Sequence, residues 1–502
     1  MAQAIHIPTR TMDGPSLDAF LAGKADDPSI GGFLAQVRRP NGQVHRAAYH
    51  GSVVDAGIEE DSMIRWYSNS KVFAGVLAAI CKERGWLCYD DPVEKFLPAF
   101  GQEWKVICPL VEEEVEAAGQ QAGVCEVEWL NKMTNERKTF RYRLENAKQK
   151  MLVQHCLSES AGIGYEMSAD IMPSALGISP QKYGIASALR QKVAGKKQYY
   201  TSTSIVGMDL SLSEFCDVVC EAGVLVEEPG SMSYGHGATV MGRIIEVCYN
   251  SNNTKATIGD PNYKSLKEIM QELLFAPLGM REATFFLADG DPRIARVPEC
   301  YGTDSEKGKL IPHKDCFAAE VHAASNNCID HFAGPRKCES LDTGLLMPIA
   351  DYGRILEMLL NKGKVYSKSE DGNTSDGSNE HSIDSIQFLS EASVREILYT
   401  RFDKKVPDYW AGTPIGDIAP DFGMGWVAAD ESADVPICFW GGYAQTNAMV
   451  FPKHGVYAVL APQVIGAYTP SEHALKFGAE VQKPLMQHLI GVLTQCGTTD
   501  DV

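Results

Sequence analysis

Behind Trp66-Tyr67-Ser68-Asn69-Ser70-Lys71, apolar residues at 72, 73, 76, 77, 80 and 81 recur at helical spacing. The pattern predicts a helix with one face in a core, and Gly85 stands where a C-terminal cap would end it. The same periodicity predicts helices over 151–157, 210–222, 238–248 and 263–275, and a closing amphipathic helix over 472–494. Alternation replaces it at both ends of the chain. Residues 32–37 and 43–49 read as strands joined by the tight-turn pair Asn41-Gly42. Four late strands are expected at 423–428, 437–439, 448–451 and 456–460, with Pro452-Lys453-His454-Gly455 turning between the last two.

Polar stretches at 250–262 and 366–386 read as loops. Residues 103–148, with Val111-Glu112-Glu113-Glu114-Val115-Glu116, read as a charged excursion forming a solvated flap. Strands at both ends and helices between them predict an α/β protein. One antiparallel sheet would be built from both chain ends and flanked by helices, with a helical domain alongside. The expected division is an N-terminal segment (1–29), an α/β domain (30–66 with 335–495) and a mainly helical domain (67–334). No internal repeat is visible.

Composition narrows the picture. The 502 residues are 44% hydrophobic and 22% charged, which is ordinary for a globular enzyme. A net charge of −19, from 65 acidic and 46 basic residues, argues against nucleic acid or an anionic membrane as partner. Fourteen cysteines lie scattered without Cys-x-x-Cys pairs, several inside apolar helical runs. With no export signal and no apolar run of membrane-spanning length, a reducing cytoplasm is expected, without membrane insertion. The histidines lack ligand spacing, so neither metal nor cofactor is expected. A homo-oligomer is compatible with all of this.

Three short patterns carry chemistry. Ser68 and Lys71 are three apart, which puts both side chains on one face of the first helical turn. A lysine drawn out of water loses affinity for its proton and can act as base toward the serine. Gly75 continues that line and is expected to leave it unobstructed. A second Ser-x-x-Lys, Ser179-Pro180-Gln181-Lys182, reads as a helix start with serine as N-cap. Ser70 has no lysine three residues on. Next, Gly230-Ser231-Met232-Ser233-Tyr234-Gly235-His236-Gly237 leads into a packed helix, and a phenol near a lysine suits proton shuttling to a leaving alcohol. His236 would hydrogen-bond the acyl side of a substrate or cap the helix. Finally, Phe439-Trp440-Gly441-Gly442-Tyr443 places paired glycines in a strand, a mark of close backbone approach by another segment or a substrate. Backbone N–H groups after them can complete an oxyanion hole with that of Ser68.

Ser68-x-x-Lys71, Asp90-Asp91-Pro92-Val93, Ser160-Ala161-Gly162, Pro229-Gly230 with Tyr234, Pro277-Leu278-Gly279-Met280 and Trp440-Gly441-Gly442 follow one another in order. The set resembles the serine β-lactamase-like superfamily over about 30–490. Within it, the chain is similar to the class C-type branch, particularly family VIII carboxylesterases and lovastatin-type acyltransferases. The resemblance implies a β-lactamase/transpeptidase-like fold with its site in a cleft between two domains, and acyl transfer through an acyl-serine. It implies Ser68 as nucleophile, Lys71 as activating base, Tyr234 as partner acid/base and Tyr443 as donor of the second oxyanion N–H. Trp440, Gly441 and Gly442 stand where β-lactamases carry Lys-Thr-Gly. Two features depart from the pattern: His236 replaces the usual Asn or Ser, and the chain is longer than typical members.

The favoured function is therefore a serine esterase or acyltransferase acting on a neutral, bulky or aromatic small-molecule ester, with His236, Trp440, Gly441 and Gly442 against the substrate. A β-lactamase or D-peptide hydrolase ranks lower, since no Lys-Thr-Gly cation would hold a substrate carboxylate. A non-catalytic structural or binding relative is the third reading. No Gly-x-Ser-x-Gly elbow supports a Ser-His-Asp hydrolase.

Overall fold

Phe33, Ala35 and Val37 alternate with Leu34 and Gln36 along β1 (Phe33–Arg38), and all five are buried, so this strand is covered on both faces. It pairs antiparallel with β2 (Val44–Tyr49), Phe33 opposite Tyr49. The late strands β3 (Cys438–Gly441), β4 (Asn447–Phe451) and β5 (Val456–Pro462) complete a five-stranded antiparallel sheet in the order β3-β4-β5-β1-β2. Phe33 also faces Pro462, so the two chain ends meet at its centre. The computed structural model describes residues 14–26, 30–39, 42–51, 57–110, 123–130, 137–165, 179–196, 210–303, 310–312, 338–366, 385–402, 422–464, 481, 484–487 and 489–490.

Helices flank this sheet. α1 (Gly14–Ala25) packs toward β2 and buries Leu17, Leu21 and Ala25. α2 (Lys71–Glu83) follows a 3₁₀ turn at Tyr67–Ser70 and ends ahead of Gly85, whose φ is +70°. Its residues from Lys71 to Cys81 are all buried. The sequence pattern had marked a single buried face; the structure surrounds the helix. α3 (Gly237–Tyr249) lies against α2, and α4 (Ile349–Leu360) packs on β1 and β5. The helix Leu212–Ala222 has the local chemistry expected of its ends, with Ser211 and Glu214 forming a reciprocal cap and Gly223 left-handed after it.

The charged excursion is not a flap. Its described parts form strands Lys105–Pro109, Cys125–Leu130 and Arg137–Asn146, which with Val224–Leu225 make a four-stranded sheet. The alternation of Phe140, Tyr142 and Leu144 with Arg141, Arg143 and Glu145 carried that signal beneath the charge. Residues 111–116 lie outside the described residues. Two further expectations change. Residues 423–428 make a turn held by isolated bridges, Phe422 to Val427 and Val427 to Phe439, instead of a strand. Asn250–Thr254 continues α3 as a wide helical turn before the loop begins. Asn41, residues 367–384 and most of 472–494 lie outside the described residues; within the last, 484–487 and 489–490 are helical.

Candidate active site

Ser68 sits in the 3₁₀ turn immediately ahead of α2, and Lys71 is the first residue of that helix. Tyr67, just before the serine, has a φ of +48°, a strained conformation for a side-chain-bearing residue. The turn is pinned from several directions. The Trp66 indole donates to the Met347 carbonyl at 2.9 Å, and the Asn69 side-chain amide donates to Thr446 Oγ1 at 3.0 Å. Ser70 Oγ accepts from the Leu345 N–H at 3.2 Å. Ser70 is thus a structural residue, and Ser179 accepts from the Lys182 N–H at the start of the helix Pro180–Lys196.

Gly75 does not keep a channel open. A Cβ there would lie 2.2 Å from the Met424 carbonyl oxygen, so the glycine admits the 422–427 turn against α2. Gly425, at φ +87°, makes the reciprocal approach: a Cβ would lie 2.1 Å from the Lys71 carbonyl oxygen.

Tyr234, on the turn before α3, donates its hydroxyl hydrogen to Ser68 Oγ at 2.7 Å. Lys71 Nζ lies 4.9 Å from the centre of the Tyr234 ring and donates to the Tyr165 hydroxyl at 2.5 Å and to the Asp342 carbonyl at 3.1 Å. The structure therefore brings the three sequence-predicted residues together, nearly or wholly buried. It does not leave Lys71 short of its proton. Burial alone lowers its pKa, but Tyr234 and the carboxylates of Glu159 and Asp342 outweigh burial and hold it above the ordinary lysine value. The Tyr234 phenol is also pushed up, by burial first, with Lys71 opposing and Glu159 and Asp342 adding to it.

The third motif is placed beside this group. A Cβ on Gly442 would lie 2.2 Å from Thr446 Oγ1 and 2.3 Å from the Trp66 carbonyl oxygen, so the close approach expected of this glycine is made by the turn that carries Ser68. Gly442 donates its N–H to the Thr446 carbonyl at 2.7 Å, and Thr446 Oγ1 donates to the Trp66 carbonyl at 3.1 Å. Gly441 has more room, with its nearest neighbour at 3.5 Å. Trp440 packs edge-on to Phe422, ring centres 4.5 Å apart, and tilts against Tyr234 at 5.7 Å. Tyr443 stacks edge-on to Tyr67 at 5.6 Å.

Of the two roles expected of His236, the geometry is against the side-chain cap. The residue occupies the N-cap position of α3 without a side-chain cap hydrogen bond, and it is 1% exposed. Its Nδ1 lies 3.1 Å from Asp342 Oδ2, and its ring is edge-on to Tyr165 and Phe215. Sequence reasoning missed Tyr165, Glu159 and Asp342. Glu159, at φ +53°, accepts the Gly235 N–H at 2.8 Å and so fixes the turn that carries Tyr234. A lone acid in the apolar run Leu341-Asp342-Thr343-Gly344-Leu345-Leu346 was the available signal for Asp342. Among the described residues, no group of three or more His, Cys, Asp and Glu is arranged to hold a metal ion, and no helix is long and apolar enough to cross a membrane.

The Beta-lactamase family model matches residues 17–469, and the chain belongs to that family of serine hydrolases and acyltransferases. The Beta-lactamase-like protein str5 of Strobilurus tenacellus is 34% identical over 85 residues, 16% of this chain, and the match spans only about a third (31%) of that protein's length. Unliganded Simvastatin Synthase (LovD) from Aspergillus terreus superposes with a TM-score of 0.59 at 16% identity, covering 94% of this chain and all (100%) of that one. EstCE1, described as a hydrolase with promiscuous acyltransferase activity, superposes at 0.53 and 15% identity, covering 93% and 97%. At such identities these structures establish the fold, which is β-lactamase/transpeptidase-like.

Proposed function

We propose that this member of the Beta-lactamase family is a serine esterase or acyltransferase that cleaves a neutral, bulky or aromatic ester through an acyl-Ser68 intermediate. The observation that carries the reading is the 2.7 Å hydrogen bond between Tyr234 and Ser68 beside the buried Lys71 ammonium. A charged Lys71 stabilises the phenolate of Tyr234, so the residue that takes the Ser68 proton is the tyrosine. Lys71 then serves as the cation behind the base, in place of the base expected from burial alone.

Once Tyr234 has given its own proton to solvent, against a raised pKa, the phenolate takes the Ser68 hydroxyl proton as Ser68 Oγ bonds to the ester carbonyl carbon and the carbonyl π pair moves to oxygen. The backbone N–H groups of Ser68 and Tyr443 are the proposed donors to that oxyanion. When the tetrahedral species collapses, the carbon–alkoxy bond breaks and Tyr234 returns the proton to the departing alkoxide. Water or a second alcohol then repeats the sequence on the acyl-serine. Trp440, followed by Gly441 and Gly442, supplies an indole wall where a carboxylate-bearing β-lactam would need a cation. This favours an uncharged substrate.

A panel of p-nitrophenyl esters and a chromogenic cephalosporin, run on wild type and Ser68→Ala, tests the reading. Esters should be turned over by wild type alone, and an alkyl fluorophosphonate should label the Ser68 peptide. Labelling at Ser70 or Ser179, or faster cleavage of the cephalosporin than of any neutral ester, would overturn it.

A further inference from the structure

We propose that His236 and Asp342 form a buried positioning pair that holds Lys71 as an ammonium ion at a fixed point behind Tyr234. This inference rests on the Ser68–Lys71–Tyr234 reading and extends it to two buried residues behind the cation. Asp342 meets Lys71 twice. Its carbonyl oxygen accepts from Nζ at 3.1 Å, and its carboxylate Oδ1 lies 3.8 Å from the same nitrogen. Both side chains are fully buried (0% exposed), where an ion pair is screened least.

The carboxylate cannot swing away, because every side of it is tied. Oδ2 faces His236 Nδ1 at 3.1 Å and accepts the Thr239 hydroxyl; Oδ1 accepts the Thr239 N–H at 3.3 Å. The Asp342 N–H donates to Ser340 Oγ at 3.2 Å. His236 and Thr239 both belong to the start of α3, directly after the turn bearing Tyr234. The pair therefore couples the position of the cation to the element that presents the phenol. The imidazole is itself wedged edge-on between Tyr165 and Phe215, so it holds one orientation.

Among the described residues, the other titratable groups facing Lys71 are Tyr165, Tyr234 and Glu159. Tyr165 is a hydrogen-bond acceptor whose pKa burial raises well above the ordinary value, so it stays a neutral phenol. Glu159 accepts the Gly235 N–H. Asp342 is the carboxylate that pairs with Nζ, at 3.8 Å, and removing its charge acts on Lys71 directly.

The test reads Lys71 itself. Full-length protein carrying [6-¹³C]lysine is titrated by NMR, with the Lys71 resonance assigned by its loss in Lys71→Arg, alongside the pH profile of ester turnover. Asp342→Asn keeps the backbone carbonyl and the shape but removes the charge. It should lower the Lys71 titration point by about one to three pH units and move the rising limb of kcat in the same direction. His236→Gln should produce a smaller shift of the same sign, through a loosened Asp342. A folded Asp342→Asn protein whose Lys71 titration and rate limb stay in place overturns the proposal. Should that variant not fold, His236→Gln and Thr239→Val decide it, and an unmoved Lys71 resonance in both overturns it. The Ser68 reading fails separately: Ser68→Ala retaining ester turnover would discard the nucleophile while a shifted Lys71 titration would leave the pair intact.

Discussion

The hydroxyl of Tyr234 reaches Ser68 Oγ at 2.7 Å across 166 positions of sequence. Two separate devices produce that contact. Glu159 ties the Tyr234 turn through the Gly235 N–H, and Thr446 ties the Ser68 turn through Asn69 and the Trp66 carbonyl. Both partners are thus set by backbone restraints before any substrate arrives.

Tyr234→Phe and Lys71→Ala should each lower kcat by about 10²–10⁴-fold with little change in KM, as loss of a group acting in proton transfer does. In the proposed mechanism phenolate and ammonium act as one unit, so the double variant should be scarcely worse than the poorer single one. Steady-state kinetics on the four proteins checks this, and a double loss equal to the product of the single losses would separate the two roles.

The pH profile follows from two shifts of the same sign. Lys71 and Tyr234 both hold their protons more tightly than the free side chains do. The proposed active form has lost one proton from this pair, so the rate should rise with pH and keep rising into the alkaline range. Lys71→Arg should not rescue the rate, because a planar guanidinium does not fit the site of a compact ammonium. Stability runs the other way. A raised folded pKa contributes stability that is complete below the unfolded lysine value and is lost as pH rises through the folded value. The urea midpoint should therefore fall above roughly pH 10, and Lys71→Met should fall less steeply there.

Much of this was legible in the chain. The Ser68–Lys71 spacing, the Tyr234 turn and the end-to-end sheet all rest on local periodicity, which sequence records directly. The missing parts are long-range. Nothing near Asp342 announces that its carboxylate closes on His236 from 106 positions away. Nor does Gly75 reveal that its bare face receives Met424. The proton affinity of Lys71 was misread for the same reason. Burial is visible in an apolar helix pattern, whereas Tyr234, Glu159 and Asp342 converge on that lysine only in the fold. The sheet at 105–146 was hidden because charged residues occupy the outward half of its alternation.

Gly425→Ala should be among the costliest small substitutions. It adds a methyl 2.1 Å from the Lys71 carbonyl oxygen and places a side chain at φ +87°. Gly259 has a similar φ of +93° but open space around it, so Gly259→Ala isolates the conformational part, about 1–2 kcal/mol. Gly425→Ala should cost at least about 2 kcal/mol more, since a backbone clash cannot relax through side-chain rotation. Urea unfolding of both variants measures the difference, and equal losses would mean that the turn gives way freely.

In the proposed site, Trp440 bears on both substrate and proton transfer. Its ring rests against Tyr234 and Phe422, so truncation removes a support of the phenol and, in the proposed site, a wall against the substrate. Burial of an aromatic ring is worth roughly 2–3 kcal/mol, which sets a loss on the order of 10–100-fold in kcat/KM for Trp440→Ala on bulky aromatic esters. A small acetyl ester does not need the wall but still needs the phenol held in place. Its loss should appear in kcat, whereas the aromatic ester should lose in KM as well. Trp440→Phe keeps a ring against Tyr234 and should recover most of kcat for both. Equal losses on small and aromatic esters, confined to kcat, would assign Trp440 to supporting Tyr234 alone and remove it from the substrate wall.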